Sequence, residues 1–97
     1  MKALTITEIQ ITPIKPSNGL VAFASAVINH QFYVGNIAVY TAPSKKLGHR
    51  LVFPTKKLAN GKNVDCFYPI NKEVSHVLSK MIIDTYIELM ENFHHVN

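Results

Sequence analysis

The spacing of apolar residues changes once along this chain, at Pro69-Ile70-Asn71. Before that point, β-branched and aromatic residues come in short runs broken by Pro, Gly and Asn, the pattern of strands joined by tight turns. After it, Val74, Val77, Leu78, Met81, Ile82, Thr85, Leu89 and Phe93 recur largely at steps of three and four. That spacing places them on one face of a helix of about 20 residues, and Asn71 offers a side-chain oxygen to cap its first turn. Strands therefore come first and one long helix last. This order predicts an α+β domain, with an antiparallel sheet of about five strands followed by a long C-terminal helix. The 97 residues leave room for one domain, spanning 1–97.

The strand region divides at its turn residues. Leu4 and Ile6 share one parity and Ile9 and Ile11 the other, which predicts a bulge near Thr7-Glu8. Pro13 and Pro16 are expected to end this strand. Asn18-Gly19 reads as a two-residue hairpin turn, because both residues tolerate positive φ. Leu20 to Ile28 is the second strand. A turn at 29–31 leads to a third from Phe32 to Tyr40, with a bulge at Gly35-Asn36. Residues 50–53 form a short fourth strand. Asn60-Gly61 is a second hairpin signal, and Val64 to Tyr68 the fifth strand. Ile83, Tyr86 and Ile87 widen the helix's apolar face beyond one stripe. Such a surplus fits either a long core helix or a contact with a second copy of the chain. Ile83, Tyr86 and Ile87 are therefore the candidate dimer interface.

Charge supplies the clue to a partner. The net charge is +4, but no Asp or Glu lies between Glu8 and Asp65. Lys45, Lys46, Arg50, Lys56, Lys57 and Lys62 fall in that span, six of the ten basic residues. From Glu73 onward, Glu73, Asp84, Glu88 and Glu91 face only Lys80. Within the basic span a motif occurs twice: Pro43-Ser44-Lys45-Lys46-Leu47 and Pro54-Thr55-Lys56-Lys57-Leu58. Clustered ammonium groups raise the local concentration of phosphate-bearing partners. They also serve as a solvated surface or protect a strand edge.

Phe53-Pro54-Thr55-Lys56-Lys57, Asn60-Gly61-Lys62, Asp65 and Tyr68-Pro69-Ile70-Asn71 resemble the stage V sporulation protein G (SpoVG) family. Asn29-His30-Gln31-Phe32 and Ile37-Ala38-Val39 add to the resemblance, which spans about residues 4–90. It implies a small α+β protein that dimerises through its sheet and binds DNA, in some members RNA. The implied role is regulation linked to septation, sporulation or virulence. Lys56 and Lys57 match the family's Lys-Arg pair, and the helix start is a second region the family associates with recognition. The departures are Ala38 in place of an Arg, Tyr68 in place of a His, no counterpart of the acidic tail, and a longer loop at 41–50 with its own lysine pair.

The expected nucleic-acid contacts are Lys56 and Lys57, supported by Lys62, Arg50, Thr55 and Lys72. Lys45 and Lys46 are expected to act as an added electrostatic arm. Thr55 offers a hydroxyl to phosphate, and Lys72 stands in the first helical turn, where backbone N–H groups favour anions. Tyr33, Tyr40, Phe53, Phe67 and Tyr68 interleave with the basic segment and read either as base-stacking rings or as core.

Cys66 is the single cysteine. It excludes an intrachain disulfide, fits a reducing compartment and reads as a small buried residue. Lys2 is followed by alternating Thr and Ile rather than an apolar run, so a cytoplasmic, membrane-free protein is expected. The five histidines fall at no zinc-binding spacing. No paired carboxylates, phosphate loop or nucleophile elbow occurs. No catalytic group, metal or cofactor is therefore expected. The function predicted is that of a homodimeric nucleic-acid-binding regulator. The alternative is a dimeric protein-interaction module without nucleic acid, and an enzyme is not expected.

Overall fold

A computed structural model describes residues 4–94, with the side chains of residues 93 and 94 outside the description. Six strands precede one helix: β1 (Ile6–Ser17), β2 (Leu20–Ile28), β3 (Phe32–Thr41), β4 (His49–Val52), β5 (Thr55–Lys57), β6 (Asn63–Asp65) and α1 (Lys72–His94). The first four form an antiparallel sheet in chain order, β1-β2-β3-β4, and β5 and β6 pair separately. The α+β class and the long C-terminal helix hold. The strands divide into a four-stranded sheet and a two-stranded hairpin, with Pro54, which has no N–H to donate, between them.

The turn residues set this meander. Asn18 and Gly19 adopt φ of 52° and 90°, closing β1 onto β2 with Ser17 opposite Leu20. The bulge at Thr7-Glu8 is present: the register slips between Thr7 and Gln10, and Glu8 has φ 51°. The second bulge sits where Ala24 pairs Ile37 and Ala26 pairs Val34, and Asn36 there has φ 55°. One expectation fails. Pro13 and Pro16 do not end β1, which continues to Ser17. β1 is an edge strand, so a missing N–H is tolerated there, and Pro16 falls within a register shift.

Cross-strand pairing assigns the two sheet faces. Pro13, Ala22, Val39 and Leu51 make one row, and Ile11, Ala24 and Ile37 another, on the face that α1 covers. Leu78, Ile82 and Tyr86 pack into this face with Ala22, Ala24 and Ala26. The small alanines let the helix approach the centre of the sheet. Thr12, Phe23, Ala38 and Val52 make a row on the opposite face, which no helix covers. Ile83 and Tyr86 correct the expected dimer interface. They are 1% and 9% exposed within a single chain, and Ile87 is half-buried against the same core. Much of the helix's apolar surplus is buried within its own protomer, where α1 reaches β1 and β4, while Val77 and Met81 stay exposed.

The helix begins as its sequence predicts. The Val74 N–H donates to Asn71 Oδ1 at 2.8 Å. Glu73 in the first turn complements the positive end of the helix dipole. Asn71→Ala is expected to cost about 1 kcal/mol, the usual worth of an N-cap, read as a lower urea midpoint at unchanged m-value.

Candidate nucleic-acid interface

The two copies of the Pro-hydroxyl-Lys-Lys motif fold differently. In the first, the Lys45 N–H donates to the Ala42 carbonyl at 2.9 Å, and the Gly48 N–H to the Lys45 carbonyl at 3.0 Å. Two consecutive turns result, with Pro43 pre-set at the second position of one and Gly48 closing the other. The Ala42 N–H reaches the Gly48 carbonyl at 2.9 Å and seals the loop. Lys45 and Lys46 are thus held on a compact double turn.

The second copy becomes β5. Thr55, Lys56 and Lys57 pair with Asp65, Val64 and Asn63, and all six are exposed. The Leu58 N–H donates to the Lys62 carbonyl at 2.7 Å and the Gly61 N–H to the Leu58 carbonyl at 2.9 Å. Asn60 Oδ1 accepts from the Lys62 N–H at 3.0 Å, and Gly61 takes φ 86°. Asn60-Gly61 therefore turns the hairpin within a five-residue loop rather than a two-residue one. Lys56 and Lys57, adjacent on a strand, point to opposite faces. The radius of gyration is 14.3 Å, against about 12.5 Å for a compact chain of this length. The exposed hairpin contributes to that excess.

A cleft of about 440 Å³ lies between the 42–48 loop, β4 and the first half of α1. Lys45, Lys46 and Lys72 line it, with Arg50 bordering it. By strand alternation Arg50 lies on the face opposite His49 and Leu51, with its guanidinium 4.7 Å from the centre of the Tyr40 ring. From the helix come Lys72, Ser75, His76, Ser79 and Ile83, at the spacing of one helical face. Leu47, Leu51 and Phe53 complete an apolar floor. Among the described residues, no Asp or Glu lines the cleft. His49 packs edge-on against Tyr86 with ring centroids 5.2 Å apart, and its Nδ1 is buried without a hydrogen-bond partner.

The predicted contacts thus fall into two groups. Lys45, Lys46 and Lys72 converge on one cleft, with Arg50 at its border, while Thr55, Lys56, Lys57 and Lys62 stand on the hairpin. The lysine pair read as auxiliary lies in the better-formed site. Sequence reading passed over Ser75, His76 and Ser79, although Lys72, Ser75, His76 and Ser79 are themselves at helical spacing. Their signal was masked by the stronger apolar stripe beside them.

Two other expectations change. Cys66 is exposed rather than buried, because the short β6 has no sheet or helix laid over it. Tyr33 is 73% exposed and Tyr68 55%, so these rings are not core. Phe53 and Phe67 pack on one another with centroids 5.8 Å apart. Among the described residues, no three His, Cys, Asp or Glu side chains gather in a way that would hold a metal. No described helix is long and apolar enough to cross a membrane.

Fold and site together define a small α+β protein with an acid-free basic cleft beside its helix. The chain matches the family model described as SpoVG over residues 4–88 and belongs to that family. Relatives named as SpoVG septation proteins align along most of it. The protein of Treponema denticola is 26% identical over 86% of this chain and 86% of its own length. That of Clostridium perfringens is 29% identical over 86% and 89%, and that of Clostridium novyi 28% identical over 92% and 85%.

Proposed function

We propose that this protein is a nucleic-acid-binding regulator whose affinity comes from lysine–phosphate contacts. The observation that carries this reading is the unpaired state of its cations. Among the described residues the one ion pair is Lys80–Asp84, on the helix. Lys45, Lys46, Arg50, Lys56, Lys57, Lys62 and Lys72 have no carboxylate of the described residues within ion-pair distance. Cations left without internal partners are free to replace the counterions of a phosphate backbone. Contacts of this kind position a protein on nucleic acid without reading sequence, so preference among sequences is weak. The cleft lysines supply the main contacts and the hairpin lysines extend the footprint. The septation names of the relatives point to a role in that process.

The homodimer implied by the resemblance has the uncovered sheet face available to it. Phe23 and Val52 are exposed there in one row with Ala38. Gel-shift titration of mixed-sequence single-stranded DNA, duplex DNA and RNA at low and physiological salt tests the function. Binding of at least one of the three, weakened by salt, is expected. No shift with any of them at low salt would contradict it.

A further inference from the structure

We propose that the cleft between the 42–48 loop and α1 is a pocket for a single nucleotide unit. Its phosphate is held by Lys45, Lys46 and Lys72 and its base lies on the apolar floor. This deepens the nucleic-acid reading and rests on it only for the choice of ligand class.

Three features set the cleft apart from a plain phosphate-tracking surface. The first is its size. At about 440 Å³ it falls within the range of small-ligand pockets and exceeds what a lone phosphate fills. The second is its division of labour. Ammonium groups from two elements stand at the rim, and Leu47, Leu51, Phe53 and Ile83 lie behind them. Phosphate contacts have no use for an apolar floor, whereas the planar face of a base does. The Phe53 ring is itself held by Phe67.

The third feature is unused polar capacity. Ser75 and Ser79, one turn apart, place hydroxyls along the cleft, and His76 lies beside them. His49, also lining it, carries a buried Nδ1 that no described group satisfies. A buried nitrogen left without a partner is uncommon in a folded protein. Among the described residues that line the cleft none is a carboxylate that would repel a phosphate.

Calorimetric titration with AMP, adenosine and inorganic phosphate tests the pocket, alongside a single-stranded oligonucleotide and its duplex. Ser79→Leu fills the cleft without removing charge. K45A/K46A empties the rim and serves as the second variant should Ser79→Leu alter the thermal melt. AMP is expected to bind once per chain, at least about tenfold tighter than phosphate or adenosine alone. Each variant should lose at least about tenfold in AMP affinity. Competition between AMP and the single strand identifies the unit as part of a strand. AMP binding with no competition identifies it as a free nucleotide. Equal binding of AMP and phosphate overturns the pocket, as does AMP and single-strand binding unchanged in both variants. In those cases oligonucleotide binding by the wild type leaves the proposed function standing. Pocket binding of AMP with no oligonucleotide bound at all supports the pocket and overturns the function.

Discussion

Ile82→Ala is expected to destabilise the fold by about 3–4 kcal/mol, the upper half of the range for truncating a buried aliphatic side chain. Ile82 is fully buried in the core that α1 forms with the sheet, a cluster that includes Ala22, Ala24 and Ala26. The strands of that core are fixed by their hydrogen bonds, and its three alanines have no length with which to fill the space left behind. The cavity therefore persists, and its cost adds to the lost transfer free energy of the removed carbons. A chain of this size has a total stability of about 5–15 kcal/mol. The substitution thus removes a large share of it and lowers the melting temperature by roughly 12–30 °C. Val77→Ala, on the exposed side of the same helix, is expected to change stability by no more than about 0.5 kcal/mol. Thermal melts of the two variants followed by circular dichroism check the contrast. Equal shifts would mean that the helix does not bury Ile82 against this sheet.

The second large effect is on binding. K45A/K46A is expected to weaken nucleic-acid binding about 100-fold, roughly tenfold for each lost charge-assisted contact. K56A/K57A is expected to cost only about tenfold, because the two side chains leave β5 on opposite faces and one backbone meets only one of them. Both losses should be similar across sequences, since phosphate contacts carry no base information. Fluorescence anisotropy with two unrelated oligonucleotides checks the order and the uniformity. A larger loss for the hairpin pair would make β5–β6 the principal contact surface. Circular dichroism should show both variants folded, since all four lysines are exposed.

The strand region was legible where the backbone needs a particular residue. Asn18-Gly19, Gly35-Asn36 and Asn71 each mark a conformation or a cap that few other side chains supply, and each stands where its chemistry placed it. Pro13 and Pro16 misled because their meaning depends on whether a strand lies at an edge, and edge position is a property of the assembled sheet. Ile83 and Tyr86 misled for a related reason. How much apolar surface a sheet can cover depends on its width and on the alanines of β2, and neither is visible in the helix's own periodicity.

The candidate site was legible as a set of cations but not as a cleft. The doubled motif gives two lysine pairs with the same local sequence. Gly48 after the first pair closes a second turn, whereas the second pair runs straight into a strand pairing. That difference of context folds one copy into a loop above Lys72, Ser75 and Ser79 and the other into an exposed hairpin. The approach of the loop to the helix is a tertiary contact between residues some thirty positions apart, and neither segment announces the other.

The central claim is that phosphate contacts supply the affinity, and its most direct test is the salt dependence of wild-type binding to a duplex. If the cleft and hairpin cations together neutralise about three phosphates per chain, log K should fall with log salt at a slope of about −2.7 per chain. A slope near zero, with affinity unchanged between low and physiological salt, would contradict it.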